Sequence, residues 1–167
     1  MTTILRRTLA AILSLATALL GLTVMAPIAQ ADDPAFVATW DTTDTSAGSS
    51  DEDQIRLPLR ASGTYDFTVD WGDGTSDQIT DPTGEAVTHT YAEAGEKTVT
   101  ITGTIDGWAF TGAGDRLKLH NVSSWGPLRL GNSGGYFQGA ANLTLTALDA
   151  PDLSGTADLS DAFLGAS

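Results

Sequence analysis

From Tyr65 to Trp71 the chain alternates without a break: Tyr65, Phe67, Val69 and Trp71 are large and apolar, and Asp66, Thr68 and Asp70 between them are polar. Side chains of an extended strand point to opposite faces in turn, so this spacing buries one face and wets the other. The same period returns in Ile55, Leu57 and Leu59, in Val87, His89 and Tyr91, and in Val99, Ile101 and Ile105 with threonines between them. Phe36 to Trp40 is a further short β-prone run. Gly72-Asp73-Gly74 and Ala94-Gly95-Glu96 supply turn chemistry between these segments. No stretch sustains the apolar period of an amphipathic helix over three turns. Short strands at close spacing, separated by Gly/Asp turns, predict a mainly β fold built as an antiparallel β-sandwich.

The segment from Met1 to Ala31 stands apart from that pattern. Arg6 and Arg7 give a basic start, an apolar run follows from Leu9 to Val24, and Ala29-Gln30-Ala31 forms a small-x-small site ahead of Asp32. That order reads as a secretory signal peptide over residues 1–31. The run is shorter than the roughly 20 residues of a spanning helix, so no membrane insertion is expected after cleavage. The mature chain is then 32–167, and its expected location is secreted or at the cell surface. It holds all 21 acidic residues and six of the eight basic ones, a balance of −15. Binding to nucleic acid requires a basic stripe that is absent here, so that class is excluded. With no cysteine, no disulfide or Cys-based zinc site contributes, and the domain stands on its hydrophobic core.

Asp70-Trp71-Gly72-Asp73-Gly74-Thr75, followed by His89-Thr90-Tyr91, Gly95 and the strand from Thr98 to Thr102, resembles the polycystic kidney disease (PKD) domain family. The likeness covers about residues 36–105 and implies an immunoglobulin-like sandwich that serves bacterial exoproteins for binding and spacing rather than catalysis. On this basis residues 32–123 are expected to form a PKD-like β-sandwich. One departure is that β-like character continues from Trp108 to Val122.

A second unit is expected over residues 124–167. Tyr136-Phe137-Gln138-Gly139-Ala140 is echoed further along by Ala162-Phe163-Leu164-Gly165-Ala166. Between them lie an alternating segment, Asn142 to Thr146, and a turn at Ala150 to Leu153. Asp158 to Phe163 reads as a capped helical turn with Leu159 and Phe163 on one face. A strand and a helical turn at a period in the twenties is a leucine-rich-repeat pattern, and the segment is similar to the BspA-type repeats of bacterial surface proteins. The expectation is a partial, truncated solenoid, from a truncated gene product or a fragment of a larger surface protein, and the least stable part of the chain.

Candidate chemistry is sparse. Asp70, Asp73 and Asp77 flank the Gly72/Gly74 turn and are candidates to share a calcium ion, although Asp-Gly is also ordinary turn chemistry. Asp41 and Glu52 occupy positions 1 and 12 of a would-be calcium loop whose glycine position holds Ser46; a solvated, flexible acidic loop over residues 41–53 is the simpler expectation. His89 sits on a buried strand face, and His120 has no nucleophile motif near it. Serine-hydrolase elbows, H-E-x-x-H, phosphate loops and dinucleotide fingerprints are all absent from the sequence. Trp71, on the buried parity of its strand, is expected in the core. Trp108 and Trp125, beside Gly107 and Gly126, are candidates with Tyr136 for a sugar-stacking surface. No cofactor and no catalytic activity are expected. The anticipated role is a non-catalytic binding or adhesion module of a bacterial surface protein, taking a host or matrix protein or a surface polysaccharide as partner; the alternative is an accessory carbohydrate-binding domain of a secreted hydrolase.

Overall fold

The structure is a computed structural model, described over residues 34–166; the expected signal peptide lies outside the described residues. The chain is mainly β. Strands β1 (Phe36–Asp41), β2 (Gln54–Arg56), β3 (Leu59–Asp70), β4 (Ser76–Ile79), β5 (Thr88–Thr90), β6 (Glu96–Trp108), β7 (Leu119–Ser124), β8 (Leu128–Arg129) and β9 (Thr144–Leu145) are joined by turns and one short 3-10 turn at Glu85–Val87.

The alternation seen in the sequence sets the burial. In β1, Phe36, Ala38 and Trp40 are sealed from solvent, and in β3 so are Tyr65, Phe67 and Val69 while Asp66, Thr68 and Asp70 face water. The larger sheet runs β4-β3-β6-β1-β7-β9, with β8 also paired to β6. From β4 through β7 every pairing is antiparallel, with β3 and β6 in register from Asp70 opposite Thr100 to Thr64 opposite Asp106. A second sheet of two strands, β2 and β5, pairs Ile55 with His89 and adds Ile55 to the same core.

The sheet is not wholly antiparallel, as the sequence pattern had suggested. Strand β8 joins β6 in parallel, Ile105 opposite Leu128 and Asp106 opposite Arg129. Strand β9 joins β7 in parallel, Asn121 opposite Thr144 and Val122 opposite Leu145. A further parallel bridge links Arg129 to Asp152. The same interval along the chain separates the partners in all three pairings. The backbone therefore returns to the same place after each excursion of that length, forming successive rungs. Between the last two rungs, the N–H groups of Gly135, Phe137 and Gly139 donate to the carbonyls of Ser160, Ala162 and Leu164, each at 2.8 Å.

The expected helical turn at residues 158–163 is not a helix. The segment is a run of tight turns, Ala162 N–H to the Leu159 carbonyl, Leu164 to Asp161 and Ala166 to Phe163, and Asp161 has φ of 53°. That left-handed backbone position interrupts any right-handed helix. Asp158 does accept the Ser160 N–H at 2.8 Å, so the capping chemistry is present without the helix it was expected to start.

Residues on both sides of position 124 share one core. Phe36, Trp40 and Trp108 belong to the same buried cluster as Trp125, Leu128, Tyr136 and Phe137. A line of aromatic rings crosses it: Phe36 to Trp108 at 5.3 Å between centroids, Trp108 to Phe137 at 6.5 Å, and Phe137 stacked on Phe163 at 5.2 Å and 10°. The described residues, 34–166, lie in one compact unit.

Candidate functional site

Asp70, Asp73 and Asp77 do not form one site. Asp70 accepts the Gly72 N–H at 2.8 Å, and Asp77 accepts the Trp71 indole N–H at 2.8 Å. Asp73 takes the Thr75 hydroxyl at 2.6 Å and the Thr75 N–H on one oxygen, and His89 Nε2 at 2.8 Å on the other. These bonds hold its carboxyl down at about 2, the Thr75 hydroxyl first and the His89 ring next. His89 in turn lies flat on Trp71, 4.8 Å between centroids and 8° between planes, and Tyr91 meets it edge-on. The Tyr91 hydroxyl donates to the Trp71 carbonyl at 3.0 Å. Burial raises the Tyr91 hydroxyl, with the nearby charges of Asp73 and Asp70 adding to it. The turn, the histidine and the tyrosine are thus one hydrogen-bonded corner that locks β5 to the β3–β4 hairpin. Its acids are occupied in holding the turn.

The tryptophans are core residues. Trp71 is buried as its strand parity requires, and Trp108, Trp125 and Tyr136 are buried too, with Trp125 only 5 % exposed. They do not form a sugar-stacking platform. The glycines beside them mark close backbone packing rather than open loop ends. A Cβ on Gly126 would lie 2.1 Å from the Ala35 carbonyl carbon, and one on Gly107 would lie 2.8 Å from Gly63 Cα. With backbone pressed against backbone, each neighbouring indole turns inward.

The acidic loop over residues 41–53 is held to the body by a buried ion pair. Asp115 and Lys118 have fully buried side chains, with Nζ 3.9 Å from Oδ2. Lys118 Nζ donates to the Asp51 carbonyl at 2.7 Å, the Gln54 carbonyl at 2.8 Å, the Ser50 hydroxyl at 2.9 Å and the Ser50 carbonyl at 3.1 Å. Asp115 accepts the Ser50 N–H, the Ser50 hydroxyl and the Arg56 N–H between 2.6 and 2.7 Å. Desolvation lowers the Lys118 ammonium from its ordinary value, opposed first by the Asp115 charge. The expectation of a free, solvated loop is corrected here: its carbonyls converge on one buried cation. A depression of about 700 Å³ remains on its outer side, lined by Thr45, Ser46, Asp51, Glu52 and Asp53 among others.

The one three-residue grouping with metal-ligand spacing among the described residues is Asp41, Asp44 and His120, whose ligand atoms lie within 4.8 Å of one another. Of the would-be calcium loop, it draws Asp41 in but not Glu52. His120 Nε2 is 2.6 Å from Asp44 Oδ2, which also accepts from the Asn142 amide at 3.1 Å. Asp41 Oδ1 accepts the Thr43 hydroxyl at 2.6 Å and the Thr43 N–H at 3.0 Å, and the hydroxyl bond leads in lowering its carboxyl. The grouping draws together β1, β7 and, through Asn142, the turn before β9.

Among the described residues, the carboxyl groups held below their ordinary value are Asp41, Asp73, Asp81, Asp149, Asp152 and Asp158. For Asp149 desolvation pushes upward, and the N–H groups of Gly126 and Trp125 overcome it. Comparison with protein-family models, with curated proteins and with solved structures finds no match to this chain.

Proposed function

We propose that the chain is a non-catalytic binding or adhesion module displayed outside a bacterial cell, in which a PKD-like β-sandwich carries the first rungs of a leucine-rich-repeat-like stack. The observation that carries this reading is the evenly spaced parallel return of β8, β9 and the Asp152 bridge on the antiparallel sheet. A backbone that comes back into register at a fixed interval presents a side-chain row on each rung, and such rows make extended binding faces. Two further features support it. The tied Trp71–His89–Tyr91 corner gives the residues that carry the PKD likeness a structural role. Ile55 from the small sheet and Trp40 from the large one belong to one core, which fits a sandwich.

Fractionation of cells expressing the full chain tests the location, and pull-down with the mature chain 32–167 tests the role. The expected result is recovery of a chain beginning near Asp32 from the surface or medium, with protein or polysaccharide partners retained on it. Retention of the uncleaved chain in the cytoplasm would contradict the proposal.

A further inference from the structure

The pairing of β3 with β6 is interrupted at one place. Thr64 lies opposite Asp106 and Leu59 opposite Trp108, so residues 60–63 of β3 face only Gly107 of β6. A bulge of this kind bends the strand and re-aims its side chains. Tyr65 braces it: its hydroxyl accepts the Arg60 N–H at 2.8 Å and donates to the Gly107 carbonyl at 2.6 Å. A cavity of about 320 Å³ opens beside the bulge. It is lined by Arg60, Ser62 and Thr64 from β3, Asp106 from β6, and Gly131 and Ser133 from the segment after β8.

Two opposite charges meet in this cavity without pairing. Among the described residues, the Arg60 guanidinium and the Asp106 carboxylate have no ion-pair partner, each other included. Arg129 stands opposite Asp106 in the parallel pairing with β8, yet it turns to Asp152 at 2.9 Å. Burial raises the Tyr65 hydroxyl and its backbone bond at Arg60 lowers it; the Asp106 charge adds to the rise and the Arg60 charge opposes it, so both charges stand near that hydroxyl. A Cβ on Gly131 would lie 3.4 Å from Asp106 Oδ1. The missing side chain leaves that oxygen uncovered, a use of glycine where a ligand approaches closely.

A carboxylate only accepts hydrogen bonds and a guanidinium only donates them, whereas a hydroxyl does both. A ligand hydroxyl set between Asp106 and Arg60 is therefore satisfied from each side, and an adjacent hydroxyl meets the second carboxylate oxygen and a second guanidinium N–H. Ser62, Thr64 and Ser133 add neutral groups of the same double character. The volume is at the lower end of the roughly 300–1,000 Å³ of small-molecule pockets, which suits a single ring. We propose that this cavity is a sugar subsite, binding one neutral sugar residue of a surface polysaccharide through two adjacent hydroxyls that donate to Asp106 and accept from Arg60. Recognition is by hydrogen bonds and not by aromatic stacking, in keeping with the buried tryptophans. The proposal rests on the binding-module reading and names the chemistry of one partner.

The test is a titration of the mature chain 32–167, isotopically labelled, with methyl β-glucopyranoside, methyl β-galactopyranoside and methyl α-mannopyranoside, which together present adjacent hydroxyls in trans and cis arrangements. At least one of them should shift the amides of Gly63, Gly107 and Gly131 saturably and leave those of Gly74 and Gly95 in place. Asp106→Asn and Arg60→Gln should each weaken that binding by roughly tenfold or more, as the loss of a hydrogen bond to a charged group does. Arg56→Gln, on β2, should leave it unchanged. If one of the two site variants fails to fold, the other decides. Silence of the three amides with all three glycosides, undiminished binding by a folded site variant, or a stronger response to free alanine, a zwitterion that answers the two charges directly, would overturn the subsite. Surface fractionation separates the two failures: a displayed chain whose cavity ignores the glycosides removes this proposal alone, and cytoplasmic retention removes the module itself.

Discussion

In the antiparallel part of the molecule, β1 lies between β6 and β7 and its apolar side chains are enclosed by aromatic neighbours; in the stacked part, six large apolar side chains from Leu145 to Leu164 remain in water. Both parts use short strands and glycine turns. The difference is closure. A strand in the middle of the sheet has its backbone groups satisfied on both edges, whereas a rung depends on the rung before it and offers its own edge to whatever follows. Cohesion therefore descends along the chain, from the Phe36–Trp108 centre through Phe137 to Phe163.

The largest contrast is expected from removing one ring at each end of that aromatic line. Trp108→Ala opens a cavity in the shared core and should cost about 3–5 kcal/mol, as large aromatic truncations do. Phe163→Ala, at the half-exposed end, should cost no more than about 1 kcal/mol, in keeping with a side chain that stays largely in water. Urea denaturation of the two variants measures both, and equal losses would erase the distinction between the regions.

Lys118→Met sharpens the comparison within the closed part. It leaves Asp115 buried without its cation and frees the carbonyls of Ser50, Asp51 and Gln54. Breaking a buried pair from one side costs about 3 kcal/mol or more. The double change Lys118→Met with Asp115→Leu should be less harmful than the single one if the uncompensated charge dominates. Proteolytic nicking between residues 41 and 53 in Lys118→Met, and not in the parent, would report the released loop.

Smaller effects are expected at the joint between the two parts. Asp149 fastens the Trp125 and Gly126 N–H groups, at 2.9 Å each to one oxygen. Asp149→Ala should lower stability by about 1–2 kcal/mol, the range for losing a capping carboxylate. Acid should act at both ends together. The carboxyls of Asp73 and Asp152 are both depressed from 3.8 to about 2, the first chiefly by Thr75 and the second chiefly by Ser154. A depressed folded-state pKa contributes stability that is complete above the unfolded value and fades as pH falls through the folded one. The loss should thus run from about pH 4 down to pH 2, and be smaller in Asp73→Asn.

Much of the fold was legible because period-two burial leaves a local trace. Tyr65 to Trp71 could be read without knowing its partners, and so could the Gly72–Gly74 turn. The echo of one Phe-x-Gly-Ala motif by the next singled out Phe137 and Phe163, and these two rings stack. What the sequence concealed was decided at a distance. Lys118 lies in an alternating stretch that resembles any strand edge, and its acceptors at Asp51 and Gln54 belong to a loop far back along the chain. The inward turn of Trp108 and Trp125 follows from glycines that press against Gly63 and Ala35, a contact with no local signature. Asp161 gave no sign of the left-handed backbone that replaces the expected helical turn. Of the candidate site residues, Asp41 and His120 were noticed separately, and Asp44, which joins them, was not; β1 and β7 had to pair before the three could meet.

Native-state hydrogen exchange across residues 34–166 tests the descending cohesion most directly. The account predicts that amides of β1, β3 and β6 exchange only through global unfolding, that protection falls through β7 and β8, and that residues 158–166 open most readily, all on one continuous gradient. Uniform protection through Ala166, or two independent unfolding steps divided at residue 124, would contradict it.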